Sequence, residues 1–338
     1  MGSRYDFDYY LACGNRDTVS IRSQPGVLLI GGAEGEKSGE DQATRWFLKR
    51  AKNGKYLVLR VGGIGSQADW ICDHYRDWIH SAAELSIDSR EAADNPEVIE
   101  YIREVDALFI AGGDQNKYQE YWEGTQTEEA LNYLVNEKQI PIAGTSAGMA
   151  ILGDYYYAPD HKGILSSEIL DDPFHYNSQN IHRSDFIEIP QLKRVITDTH
   201  LDRMNRDNPE TRYGRLMGLL ARVIYENNNE LSNYAIGLEE GAFVAINEMG
   251  IAKVFGNGTE IGQDAYFLQT NESLPEQIEP GWPLIWNNSG KAVKVYQISG
   301  TKEGSGYFDL KDWFTAKDGT WQYWYTTGGK SGLRKELF

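Results

Sequence analysis

Four short apolar runs separated by helical patterns do most to constrain the fold. They are Val27 to Ile30, Tyr56 to Val61, Ala107 to Ala111 and Ile140 to Ala143. Each is β-branched or leucine-rich at most positions, as strands buried on both faces are. Between them, Asp41 to Ala51, Gln67 to Ala82, Asn95 to Val105 and Thr127 to Lys138 read as helices, and Pro96 stands at a first-turn position. This alternation predicts a mostly parallel sheet covered on both faces. Ligands of such sheets sit beyond the carboxyl ends of the strands. Three of those ends are rich in small residues: Gly31-Gly32-Ala33-Glu34, Gly112-Gly113-Asp114-Gln115 and Gly144-Thr145-Ser146-Ala147-Gly148.

The last of these fits the G-x-S-x-G nucleophile elbow. There the serine backbone is strained, small neighbours let strand and helix approach closely, and the hydroxyl projects into open space. The competing reading is a tight strand-to-helix turn that needed small residues. The convergence of three such ends favours the functional one.

The second half is less regular. Pro159, Pro173 and Pro190 punctuate Tyr155 to Arg194, and a helix is expected from about Thr211 to Glu226. Tyr234 to Leu238 and Ala242 to Ile246 read as strands. After about Asn257 the texture turns to Gly, Asn, Trp and Tyr with alternating strands such as Ala292 to Tyr296. The expected division is an α/β catalytic domain over 1–257 and a β-rich extension over 258–338.

The net charge of −17, from 33 Lys+Arg against 50 Asp+Glu, argues against nucleic acid as a partner, since phosphate binding needs a basic face. No apolar run approaches the roughly 20 residues of a membrane span. Cys13 and Cys72 form no zinc pattern, and their spacing leaves open whether they pair. "GAEGEKS" matches a phosphate-binding loop only loosely, so no metal, nucleotide or other cofactor is expected. Met1-Gly2-Ser3 reads as an added start. The compartment stays open, with a lean toward an exported chain whose signal peptide is missing and the cytoplasm as the alternative. A homodimer is an open alternative for the assembly.

A serine nucleophile needs a base, and the base an orienting acid. All six histidines precede residue 201, so the order Ser, acid, His with a late histidine is excluded, and Ser, His, acid fits. His200 follows the apolar trio Val195-Ile196-Thr197. Glu239 and Glu240 lie between two apolar runs, flanked by Gly237 and Gly241. Either could instead be ordinary: His200 a loop histidine, the carboxylates a solvated turn.

"GGDQ", "GTSAGM", "DTH", "RYGRL" and "IGLEEG", in that order between about Val27 and Ile246, resemble the S51 family of serine peptidases, which holds cyanophycinase and dipeptidase E. The resemblance implies an α/β three-layer sandwich with a mostly parallel sheet, flavodoxin-like or like the class I glutamine amidotransferases. The small C-terminal β extension lies outside the minimal family core. It also implies Ser146 as nucleophile, His200 as base and Glu240 as acid, with Glu239 in reserve. Ala147 and Gly113 would supply the oxyanion-hole amides. Gln115, Asp198, Thr199, Arg212 and Arg215 would line the substrate side. Thr199 stands where cyanophycinase has glutamine, and "DRMNRDNPE" interrupts the arginine cluster, so Arg206 competes with Arg212 for one position. The implied substrate is a peptide or polypeptide: cyanophycin, an aspartate chain with arginine on each β-carboxyl, cleaved to β-Asp-Arg dipeptides. A dipeptidase acting on aspartyl or isoaspartyl peptides, another amidase of this fold, or an inactive binding homologue are the alternatives.

Overall fold

The computed structural model describes residues 6–33, 38–183, 186–204, 209–258, 263–329 and 332–338. Arg206, Met1 to Ser3, and the Glu34, Gly35, Glu36 and Lys37 of the loose phosphate-loop match lie outside the described residues. The fold is mixed α/β, built on two sheets.

The first sheet has the order β1-β4-β3-β5-β6-β2-β11-β12-β16-β17. Its strands are β1 (Phe7–Cys13), β2 (Gly26–Ile30), β3 (Lys55–Arg60), β4 (Ser81–Ile87), β5 (Ala107–Ile110), β6 (Pro141–Thr145), β11 (Phe243–Asn247), β12 (Ile251–Phe255), β16 (Tyr307–Asp309) and β17 (Ala316–Lys317). The five from β4 to β2 in that order run parallel, and antiparallel strands extend both edges. The second sheet has the order β14-β18-β15-β13-β10-β9-β7-β8, with β19 added on β18. It consists of β7 (Tyr155–Tyr157), β8 (Ile181–Arg183), β9 (Val195–Asp198), β10 (Tyr234–Leu238), β13 (Asp264–Thr270), β14 (Ile285–Trp286), β15 (Val293–Ser299), β18 (Thr320–Thr327) and β19 (Arg334–Leu337). Residues beyond 257 are thus built into both sheets, and β13 pairs with β10 along all of Tyr234 to Leu238.

Alternate residues of the central strands feed different cores, as the two-residue period of a strand requires. Leu28, Ile30, Val58 and Phe109 pack under α1 (Ser38–Ala51) and α2 (Gln67–Tyr75). Leu29, Leu57, Leu59 and Ile110 face the other way and share a core with the inner face of the second sheet, including Ile236, Phe267 and Ile298. The outer face of the second sheet is covered by the helices Ser166–Asp171 and Tyr213–Glu226.

One expectation is corrected, and the open question of the cysteines is answered. The helix expected over Gln67 to Ala82 stops at Tyr75, passes through a 3₁₀ turn at Arg76–Trp78, and gives way to β4. Residues 7–13, outside the strands read from the sequence, form β1 and pair antiparallel with β4. Cys13 and Cys72 are joined in a disulfide, which ties β1 to α2.

Candidate active site

Five strand ends meet at one place. In the first sheet, β2 leads to Gly31, β5 to Gly112-Gly113 and β6 to Ser146; in the second, β9 leads to His200 and β10 to Glu239-Glu240. The turn from Glu239 to Ala242 crosses from one sheet to the other. Two backbone bonds lock the junction: the His200 amide donates to the Gly31 carbonyl (3.1 Å) and the Gly241 amide to that of Gly32 (2.8 Å).

Ser146 takes φ 50° and ψ −117°, a conformation that costs a non-glycine residue energy and persists only where its surroundings enforce it. Its amide donates to the Ile30 carbonyl of β2 (3.1 Å). The small residues of the motif are required by contact. A Cβ on Gly148 would lie 2.2 Å from the Ile110 carbonyl oxygen, and one on Gly144 would lie 2.4 Å from that of Gly148.

Ser146 Oγ lies 2.7 Å from His200 Nε2, and His200 Nδ1 lies 2.6 Å from Glu240 Oε1. His200 is only 8% exposed. Burial lowers its pKa from the ordinary imidazole value; the bond to Glu240 opposes that shift, and Arg212 and Arg203 add to it. Glu240 is itself held: its amide donates to Asp202 Oδ1 (2.9 Å), and Arg203 approaches its carboxylate at 3.4 Å. This serine–imidazole–carboxylate relay can take a proton from a hydroxyl and return it to a leaving group.

Glu239 points the other way. It accepts bonds from the Tyr213 and Tyr266 hydroxyls and from the Asp264 amide, and burial pushes its pKa up. Lys335, on the exposed edge strand β19, reaches back so that its ammonium lies 3.5 Å from the Tyr213 ring centre and 4.8 Å from that of Trp324. Burial among the rings pushes its pKa down to about 8, against the pull of Glu239 and Asp264.

The other expected residues divide between the cleft and its supports. Gly112 is beside the nucleophile: a Cβ there would lie 3.4 Å from Ser146 Cβ. The Tyr118 hydroxyl donates to the carbonyls of Ala111 (2.8 Å) and Gly112 (3.2 Å), fixing the loop that carries Gly113. Ala147 directly follows Ser146 and opens the Ala147–Ala150 helix. Gln115 donates to the Tyr157 carbonyl (3.3 Å). Arg215 and Asp198 form a buried two-pronged ion pair, with Nε 2.8 Å from Oδ2, and Thr199 donates its amide to the same carboxylate. Arg212 donates to the Thr199 carbonyl (3.0 Å); burial first, then Arg215, lowers its pKa to about 10. Sequence reasoning missed Asp202 and Arg203, two and three residues after the histidine. It also missed Tyr213, Tyr266 and Lys335, whose distance along the chain leaves no local signal. Among the described residues no group of histidine, cysteine or carboxylate side chains could hold a metal ion.

A strained serine bonded to a buried histidine at the strand ends of an α/β sheet is an arrangement that serine hydrolases use, and the family match makes this chain a serine-type peptidase. The chain belongs to peptidase family S51, whose model matches residues 27–253. The cyanophycinases of Trichormus variabilis and Nostoc sp. are each 26% identical to it over 260 residues, covering 75% of this chain and 78% of theirs. That of Geminocystis herdmanii is 23% identical over 238 residues, covering 69% and 78%. Among solved structures, a peptidase from an acI-B1 Actinobacterium matches 82% of this chain and 96% of its own, with 14% identity and a TM-score of 0.48.

Proposed function

We propose that the protein is a cyanophycinase-like peptidase that cleaves an aspartate–arginine polymer through an acyl-enzyme. The observation that carries the chemistry is the bonded relay from Ser146 through His200 to Glu240. In this reading His200 Nε2 takes the Ser146 proton as Oγ bonds to the scissile carbonyl carbon. The imidazolium, oriented by Glu240, then gives that proton to the amine as the C–N bond breaks. Water repeats the sequence and frees the acid. The Ala147 and Gly113 amides stabilise the oxyanion, each such donor typically being worth about 3 kcal/mol of barrier.

The relatives named as cyanophycinases support the choice of polymer. Arg212 is the cation assigned to the substrate's α-carboxylates, and Gln115 a second polar contact for them. Arg215 is engaged with Asp198, so its role is to hold the wall on which Arg212 stands. The net charge of −17 suits a substrate studded with guanidinium groups.

Incubation with cyanophycin granules, β-Asp-Arg oligomers and short aspartyl peptides, with product analysis, tests the substrate. Release of β-Asp-Arg from the first two is expected. Turnover of aspartyl dipeptides alone would move the assignment to a dipeptidase. Absence of a fluorophosphonate adduct on Ser146, with no turnover of any of the three, would leave a binding homologue.

A further inference from the structure

The chain turns sharply at His200, and the turn serves the acid of the relay as well as the base. His200 has φ 53°, in the left-handed region that a non-glycine residue enters only when its surroundings enforce it. Backbone bonds do so here. The His200 amide donates to the Gly31 carbonyl (3.1 Å) and the Leu201 amide to that of Leu238 (3.1 Å). The Arg203 amide closes the turn onto the His200 carbonyl (3.2 Å), and the Arg212 amide meets the Leu201 carbonyl (2.7 Å). Residues 200–203 are thus clamped between the ends of β2 and β10. Asp202 and Arg203 both reach the turn that carries Glu240, and each makes a different contact there. Asp202 Oδ1 accepts the Glu240 backbone amide (2.9 Å). Arg203 Nη1 lies 3.4 Å from Glu240 Oε1, the same oxygen that meets His200 Nδ1 at 2.6 Å. One carboxylate oxygen stands between an imidazole and a guanidinium.

We propose that Asp202 and Arg203 are positioning residues of the relay: Asp202 fixes the backbone from which Glu240 springs, and Arg203 steadies the Glu240 carboxylate that orients His200. This rests on the reading of Ser146, His200 and Glu240 as a working relay. Each of the two acts through Glu240.

The first effect is geometric. A carboxylate shared with a second cation has fewer orientations open to it than one held by the imidazole alone, and catalytic groups work best when held within about half an ångström of the productive geometry. The second effect is electrostatic. The charged groups bearing on His200 are Glu240, Arg212 and Arg203. Burial is the largest cause that lowers the imidazole pKa; the Glu240 bond opposes it, and Arg212 and then Arg203 add to it. A guanidinium near the imidazolium makes that ring a stronger acid, which suits the return of the proton to the leaving amine. The Arg203 side chain is 46% exposed, so solvent screens the pair and its effect is modest.

The test is the rate at which a fluorophosphonate labels Ser146 in the full chain, measured across roughly pH 5 to 9, where a histidine titrates. Labelling needs the relay but no peptide, so it is independent of which polymer is cleaved. Loss of the guanidinium should carry the acid limb to higher pH. At the acid end, Arg203→Met should lose roughly threefold more rate, relative to its own plateau, than wild type does. Arg203→Lys, which keeps a charge there, should restore the wild-type limb. Asp202→Ala should lower the plateau rate roughly three- to tenfold, and Asp202→Asn, which keeps an acceptor oxygen, should recover most of it. An acid limb unchanged in Arg203→Met, or one that Arg203→Lys fails to restore, overturns the role of Arg203. A wild-type plateau in Asp202→Ala, or no recovery in Asp202→Asn, overturns that of Asp202. A raised KM for β-Asp-Arg oligomers with an unchanged labelling profile in Arg203→Met overturns the positioning role in favour of a substrate contact. No labelling of wild type at any pH overturns the relay itself, and this proposal with it.

Discussion

In the proposed mechanism Ser146 and His200 act as one unit, so losing either should cost nearly as much as losing both. Ser146→Ala and His200→Ala should each lower kcat by roughly 10⁴-fold or more while the melting temperature stays close to wild type. Retention of a tenth of the activity by either variant would remove it from the mechanism. Glu240→Gln should impair kcat more than Glu239→Gln does. Glu239→Gln should chiefly lower stability, because Glu239 anchors two tyrosine hydroxyls and a backbone amide. The pH profile follows from the lowered pKa of His200. The proton-accepting neutral imidazole persists to lower pH than usual, so the acid limb of kcat/KM should fall below about 6.5, the ordinary value. A midpoint near or above about 7 would contradict the burial of that ring. Arg215→Ala leaves Asp198 buried without its partner and should cost about 3–5 kcal/mol in a urea titration. A loss of activity with unchanged stability would instead place Arg215 on the substrate. The relay was legible in outline because an elbow needs small residues at fixed spacing. The choice between Glu239 and Glu240 was not, since adjacent side chains face opposite ways and only the packing decides which meets the histidine.

At the scale of elements, the end of β2 controls the site. Gly32 has φ +104°, and a Cβ there would stand 2.1 Å from His200 Cε1. Gly32→Ala should therefore displace the imidazole and lower kcat by about 100-fold or more, the usual cost of misplacing a catalytic group by an ångström. Wild-type kinetics in that variant would mean that the ring does not sit where the structure puts it. The four apolar runs became β2, β3, β5 and β6 because continuous burial writes itself into sequence. Strand β4 was hidden. "SAAELSI" is rich in helix formers, and it is extended because β1 and β3 hold it on both sides. Such pairing is non-local, and no window of sequence contains it.

For the whole molecule, the disulfide between Cys13 and Cys72 closes a loop with a sequence separation of 59 and fixes β1 at the edge of the first sheet. Replacing both cysteines by serine should cost about 2–4 kcal/mol of unfolding free energy. An unchanged denaturation midpoint would show that the bond does not form in solution.

The brace behind the relay has a consequence for how the enzyme comes into being. Glu240 emerges from the ribosome well before Tyr266, which binds the neighbouring Glu239, and before Lys335, which closes over the Tyr213, Tyr266 and Trp324 rings. Synthesis at roughly 5–20 residues per second therefore leaves an interval of several seconds in which Ser146, His200 and Glu240 all exist but the strands behind Glu239 do not. The seat behind Glu239 is therefore complete only after β13, β18 and β19 have been laid down, well after Ser146, His200 and Glu240 in the order of synthesis.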